Sequence, residues 1–302
     1  MTDDLVDFKK AADIADIDAP IVVPEEHHVV LRGMRFHYLD WGTAGLPPIV
    51  FLHGGGLTAH TWDLVCLGLR SNYRCLALDQ RGHGDSEWSP VLEYSISAQA
   101  GDVQAFVDHL ALERFVLVGM SMGGINSIRY AAENTERLSA LVLVDVGPDV
   151  KLAGARRIQE FTVESAELDS VDEFVERAIK FNPRRDPQLL RRSLLHNLRQ
   201  MPNGKWTWKY DRRHRLTIDV SRMTENFQNL WTEVPRITCP TLVVRGGESD
   251  VFGADDAARL VGALPDARSV CVDGASHSVQ GDQPKEFTRQ LRAFLTGQGI
   301  GA

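Results

Sequence analysis

Val116-Leu117-Val118-Gly119-Met120-Ser121-Met122-Gly123-Gly124 is an apolar run that ends in Gly-x-Ser-x-Gly, with Ser121 at its centre. Phe115 to Val118 are strand-like, and a helical pattern through Ile125, Ile128 and Ala132 follows at once. A strand that turns straight into a helix at this motif holds its serine on a sharp, strained bend. A Cβ two residues before or after the serine would collide with the bend, and Gly119 and Gly123 meet that requirement. The hydroxyl is then lifted above the sheet edge, in front of a helix N-terminus that favours negative charge. Gly-x-Ser-x-Gly alone arises by chance in many chains. Its weight here comes from the strand before it, the helix after it and the partner residues elsewhere.

Outward from that bend, strands alternate with helices. Toward the N-terminus, Ile49 to Leu52 reads as a strand buried on both faces, ending in His53-Gly54-Gly55-Gly56. A helix is expected over 58–69, a strand over 73–78 and a helix over 97–110. Ahead of these, 28–31 and 34–41 form a hairpin about Arg32-Gly33. Toward the C-terminus, Leu141 to Val144 is a strand closed by Asp145. Thr241 to Arg245 is another, leading to Gly246-Gly247-Glu248-Ser249-Asp250. Arg268 to Val272 is the last, leading to Asp273-Gly274-Ala275-Ser276-His277. This rhythm means an α/β fold with a mainly parallel sheet and helices on both faces.

The rhythm breaks at Gly147-Pro148. From 149 to 235 the patterns are helical, with no clear strand, rich in arginine up to Arg215 and holding Trp206, Trp208 and Trp231. The expected organisation is an N-terminal arm (1–27), a core (28–148 and 236–302) and an inserted helical cap (149–235). The arm, acidic and Ala/Asp-rich, reads as a loose segment or a short surface helix.

Bulk properties narrow the function classes. A chain of 302 residues suits one large domain or a domain with an insertion. A net charge of −8 argues against a general nucleic-acid binder, and no apolar run is long enough to cross a bilayer. The acidic start, Met1-Thr2-Asp3-Asp4-Leu5, shows no secretory signal. Cys66, Cys75, Cys239 and Cys271 are scattered, as expected of free thiols in a reducing cytoplasm. The histidines, His60, His196 and His214 among them, show no metal-ligand spacing, so neither metal nor cofactor is expected.

A serine hydroxyl needs a general base, and the base needs a group that fixes its tautomer. Loops after the carboxyl ends of parallel strands gather at one sheet edge. His277 and Asp250 both occupy such loops, and so would meet Ser121 there. Asp145, at the end of the strand after the elbow helix, is the rival acid. The negative oxygen of a tetrahedral intermediate needs fixed donors. The backbone N–H groups of Met122 and Gly55, with Gly56 next, can supply them. His53 braces that loop and borders the substrate.

Taken together, His53-Gly54-Gly55-Gly56, Asp79-Gln80-Arg81-Gly82-His83-Gly84-Asp85-Ser86, Gly119-Met120-Ser121-Met122-Gly123-Gly124, Gly247-Glu248-Ser249-Asp250 and Gly274-Ala275-Ser276-His277 resemble the α/β-hydrolase superfamily from about Val29 onward. The likeness is to small capped bacterial hydrolases: carboxylesterases, enol-lactonases, C–C hydrolases of ring-cleavage products and haloperoxidase-like enzymes. It implies a covalent route on Ser121 with His277 and an aspartate, and no cofactor. The serine disfavours haloalkane dehalogenases and epoxide hydrolases, which use aspartate. Ring-cleavage C–C hydrolases usually carry Asn before the serine and Trp after the histidine, where this chain has Met120 and Ser278.

The expected reaction is hydrolysis of a small ester, lactone or related acyl compound. Alternatives are C–C cleavage of a β-diketone or ring-fission product, a slow-turnover ligand-binding or receptor protein, and a cofactor-free non-hydrolytic enzyme. The expected partner is a small molecule with an anionic or aromatic end, selected by Arg191, Arg192, Trp206 and Trp208. No nucleic acid or membrane partner is expected, and a homodimer is an allowed assembly.

Overall fold

Strands covered on both faces carry unbroken apolar runs, and the central strands of this chain follow that rule: Ile49 to Leu52 and Val116 to Val118 are fully buried. The computed structural model describes residues 3–149, 151–164, 167–213, 227 and 229–301. His214 and Arg215 lie outside them. The first half comprises α1 (Asp3–Ile14), β1 (Glu25–Leu31), β2 (Met34–Asp40), β3 (Pro48–Leu52), α2 (Asp63–Leu69), β4 (Arg74–Leu78), α3 (Ile96–His109), β5 (Phe115–Met120), α4 (Met122–Asn134) and β6 (Leu138–Val144). An inserted segment follows: α5 (Leu152–Glu164), β7 (Glu167–Leu168), α6 (Val171–Phe181), α7 (Pro187–Asn197), β8 (Leu198–Gln200) and β9 (Trp206–Trp208). The core resumes with β10 (Thr241–Gly246), α8 (Ala254–Ala263), β11 (Ala267–Val272), α9 (Val279–Asp282) and α10 (Pro284–Gly297).

Eight strands form one sheet in the order β1-β2-β4-β3-β5-β6-β10-β11. β1 and β2 are an antiparallel hairpin, with Leu31 opposite Met34, and Arg32 and Gly33 both take the positive φ that a two-residue turn needs. From β4 to β11 the pairing is parallel. Leu52, Gly119, Leu143 and Val243 share one row across the sheet. That register carries Ser121 and Asp145 to the same height, just past the ends of β5 and β6. Alternate residues feed two cores. Leu52, Leu76, Leu117, Leu143 and Val243 face one, with Val103, Phe106, Ile128 and Leu260 from the helices. Phe51, Ala77, Val118, Val144 and Val244 face the other, with Leu67, Phe287 and Leu291. Among the described residues no helix is long and apolar enough to cross a membrane.

One expectation is narrowed and one changes. Of the two readings of the N-terminal segment the short helix holds, and it is docked: α1 buries Phe8 and Ala12 in the second core, and the Phe8 ring packs 5.6 Å from that of Trp41. Its apolar residues are too few to register as a core face in the sequence. The insertion, in turn, is not purely helical. β7, β9 and β8 form a small antiparallel sheet over a separate core of Phe174, Leu190, Leu194, Trp208 and Tyr210. Strands of two or three residues leave no alternation to read.

The insertion is fastened to the core in two ways. One set of ties is buried. Arg192 of α7 donates to Asp63 of α2 at 2.6 Å and lies over the Phe8 ring, while the Asp211 carboxylate accepts from Tyr94 at 2.6 Å. In the second set Arg157 meets Asp250 at 3.1 Å and Arg184 meets Glu248 at 3.3 Å, all four substantially exposed.

Candidate active site

Ser121 has φ 51° and ψ −119°, a backbone conformation that a non-glycine residue holds only when its surroundings enforce it. The enforcement is visible. The Ser121 N–H donates to Val144 O at 3.2 Å, and the Gly123 N–H donates to His53 O at 3.1 Å. A Cβ on Gly123 would lie 2.4 Å from Leu52 O, and one on Gly119 2.5 Å from Gly123 O. The two glycines therefore let the bend press against β3, as the motif required.

His277 follows β11 and its Nδ1 lies 2.8 Å from Oδ2 of Asp145. A carboxylate only accepts, so Nδ1 carries the proton and Nε2 keeps the ring's lone pair. Asp145 is fully buried, with φ 52°. Its own N–H donates to Val244 O at 2.7 Å, its Oδ1 accepts from the Gly246 N–H at 2.8 Å, and its Oδ2 also accepts from Ser249 Oγ. Three donors thus converge on one buried carboxylate, which compensates its charge and fixes its plane.

The expected contact between His277 and Asp250 is not made. Asp250 stands four residues beyond the end of β10, 41% exposed, with its carboxylate on Arg157. Asp145 directly follows β6, between β5 and β10, where no such reach is needed. The order serine, aspartate, histidine could not separate the two, because both aspartates lie between positions 121 and 277. Ser249 and Gly246, which hold Asp145, were not anticipated, and nothing in their types marks them.

Ser121, His277, Met122, Gly55 and Gly56 all border one cavity of about 1100 Å³ beneath the insertion. Gly55 and Gly56 are the central residues of a turn closed by the Leu57 N–H on Gly54 O at 3.1 Å, with Gly56 at φ 81°. Met122 opens α4, so its N–H has no intrahelical acceptor. His53 is buried behind the turn. Its Nδ1 is 2.8 Å from Gly54 O, and its Nε2 accepts from the Gln80 N–H at 3.0 Å. Burial holds His53 below the usual histidine range, so the neutral ring serves as a brace. Asp79 steadies the same region, accepting from His37, the Ala59 N–H and the Asp85 N–H. Burial alone would raise its pKa, but the His37 hydrogen bond, the electrostatic pull of the two neighbouring imidazoles and the Asp85 N–H bring it down to about 2.

Of the expected substrate-contacting residues, Trp208 borders the cavity, while Trp206 and the buried His53 do not. Arg191 and Arg192 are also away from it. Arg191 is exposed on Asp172, and Arg192 is committed to Asp63. On α7 it is Leu190, Ser193, Leu194 and Asn197 that border the cavity instead. Among the described residues, the arginines that do reach the cavity from the insertion are Arg157, Arg184 and Arg185. In sequence they were indistinguishable from solvated charges.

The fold brings His60, Asp63 and His196 close enough to share an ion, though no spacing announced it. The guanidinium of Arg192 already occupies the Asp63 carboxylate at 2.6 Å, so a divalent cation there would meet a fixed positive charge.

Comparison with known proteins agrees with this geometry. A family model described as "Alpha/beta hydrolase family" matches residues 49–290. Esterase Rv0045c of Mycobacterium tuberculosis is 34% identical over 295 residues, 94% of this chain and 93% of that protein. The sn-1-specific diacylglycerol lipase ABHD11 of Mus musculus is 30% identical over 275 residues, 87% of this chain and 85% of that one. A crystal structure of the Mycobacterium tuberculosis esterase superposes with a TM-score of 0.79, covering 98% of each chain.

Proposed function

The chain belongs to the α/β-hydrolase family, and on that premise we propose that it is a serine-dependent ester hydrolase whose triad is Ser121, His277 and Asp145. One observation supports this above the rest: a strained serine and a histidine hydrogen-bonded to a fully buried aspartate border the same cavity. The esterase and lipase names of the two relatives point to ester bonds.

In the proposed reaction, His277 Nε2 takes the Ser121 proton as Oγ attacks the ester carbonyl. Asp145 keeps the other ring proton on Nδ1 and stabilises the imidazolium that forms. The N–H groups of Met122 and Gly55 hold the oxyanion, in a loop stiffened by His53 and Gln80. The imidazolium then protonates the leaving alkoxide, which departs to leave an acyl-Ser121. Water, deprotonated by His277, releases the acid and restores the serine. The insertion, 149–235 by the sequence reading, would act as the cap that shields these steps from bulk water.

The test is turnover of 4-nitrophenyl butyrate together with labelling by a fluorophosphonate. Both are expected in the native chain and absent in Ser121→Ala. Turnover that survives Ser121→Ala overturns the proposal.

A further inference from the structure

The large cavity is not evenly furnished. Lys180, in the last turn of α6, and Arg184 and Arg185, between α6 and α7, border it. Arg157 and Arg184 are held by Asp250 and Glu248. Arg185 differs. Among the described residues it makes no ion pair or hydrogen bond, and its Nε is buried without an acceptor. Its guanidinium is packed against the backbone of Gly281, where an added Cβ would lie 2.8 Å from Cζ and 2.9 Å from each terminal nitrogen. Gly281 is thus the residue that makes room for it. The same short helix starts two residues after His277, so the guanidinium stands beside the histidine's loop. The carboxylate beside it, Asp282, is spent elsewhere: it accepts from Ser276 Oγ, the Ser276 N–H at 2.9 Å and Asn182 Nδ2 at 2.9 Å.

A guanidinium stays charged in any protein, and buried donors left without acceptors are costly to the fold. Burial pushes the Arg185 pKa down, the Asp282 charge beside it opposes that, and the neighbouring Arg192 adds repulsion. The chain therefore keeps guanidinium donors without acceptors at the wall of the cavity that Ser121 and His277 border. Such a cost is tolerable where a ligand supplies the missing partner.

We propose that Arg185 is the specificity determinant for a carboxylate carried by the substrate, so that the preferred esters are monoesters of dicarboxylic acids or similar acidic esters. This rests on the ester-hydrolase reading above. A planar carboxylate is the partner that matches a guanidinium's paired donors. Arg191 and Arg192, the arginines favoured from sequence, do not take this role.

The experiment compares kcat/KM for the mono-4-nitrophenyl esters of succinic, glutaric and adipic acids with those for neutral alkanoate esters of equal length. The native chain favours at least one acidic ester. Arg185→Met lowers the acidic-to-neutral ratio roughly 10- to 100-fold, chiefly through KM, and Arg185→Lys restores part of it. An unchanged ratio overturns the proposal. A second measurement needs no turnover. Glutarate should raise the Tm of the native chain and of Ser121→Ala, but not of Arg185→Met. If none of the esters is hydrolysed, the ester reading fails, and the glutarate shift still decides the carboxylate site. A shift given by inorganic phosphate and not by glutarate overturns the carboxylate assignment. Arg185→Met should itself have a Tm at or above the native value. A lower Tm, or failure to fold, makes the arginine structural and overturns the proposal.

Discussion

Asp145→Asn should silence the enzyme while leaving its fold in place. The hydrogen bonds set the size of the effect. Oδ1 faces the Gly246 N–H at 2.8 Å, a group that can only donate. An asparagine must therefore place its carbonyl oxygen there and its NH2 where Oδ2 stood, 2.8 Å from His277 Nδ1. Ser249 can rotate its hydroxyl to accept, but a backbone N–H has no such freedom. The amide then donates to Nδ1, which puts the imidazole proton on Nε2 and removes the lone pair that must receive the Ser121 proton. A wrong tautomer of this kind costs about 10⁴-fold in kcat. Asp250→Asn, by contrast, alters a part-exposed ion pair with Arg157, and should leave kcat within a few-fold. Initial rates on 4-nitrophenyl butyrate, with Tm as the check on folding, read both variants. If Asp145→Asn keeps a tenth of native activity, or Asp250→Asn loses as much as was expected of Asp145→Asn, the acid is misassigned.

Other changes give independent checks. Gly123→Ala drives a Cβ to within 2.4 Å of Leu52 O, and should cost about 1–3 kcal/mol in urea denaturation as well as most of the activity. Trp208→Ala empties the centre of the insertion's core, where Trp208 packs 5.1 Å from Phe174. It should cost about 3–5 kcal/mol, seen as early melting of that layer by hydrogen exchange. Asp79 is held at about 2 against an ordinary 3.8, so its contribution is complete above about pH 4 and is lost as pH falls through about 2. It amounts to about 2 kcal/mol, and Asp79→Asn should flatten that part of the acid-denaturation curve.

The centre of the sheet was legible because β3, β5 and β6 carry no exposed residue and so read as continuous apolar runs. The bend at Ser121 was legible because only glycine fits where backbone meets backbone, at positions 119 and 123. The carboxylate that meets His277 was not, since a carboxylate beyond a strand looks the same whether it stands one residue past the end or four. The insertion was least legible. Its short strands carry no period, and a lone guanidinium such as Arg185 differs from a solvated one only in what the chain folds around it.

The unequal fastening of the insertion has a mechanical consequence. Its buried anchors, Arg192 on Asp63 and Asp211 on Tyr94, are shielded from dissolved ions. The pairs of Arg157 with Asp250 and of Arg184 with Glu248 are part-exposed, and dissolved ions weaken them. Rising ionic strength should therefore loosen the stretches around Arg157 and Arg184 before those around Arg192 and Asp211, an order that hydrogen exchange across a salt series would read.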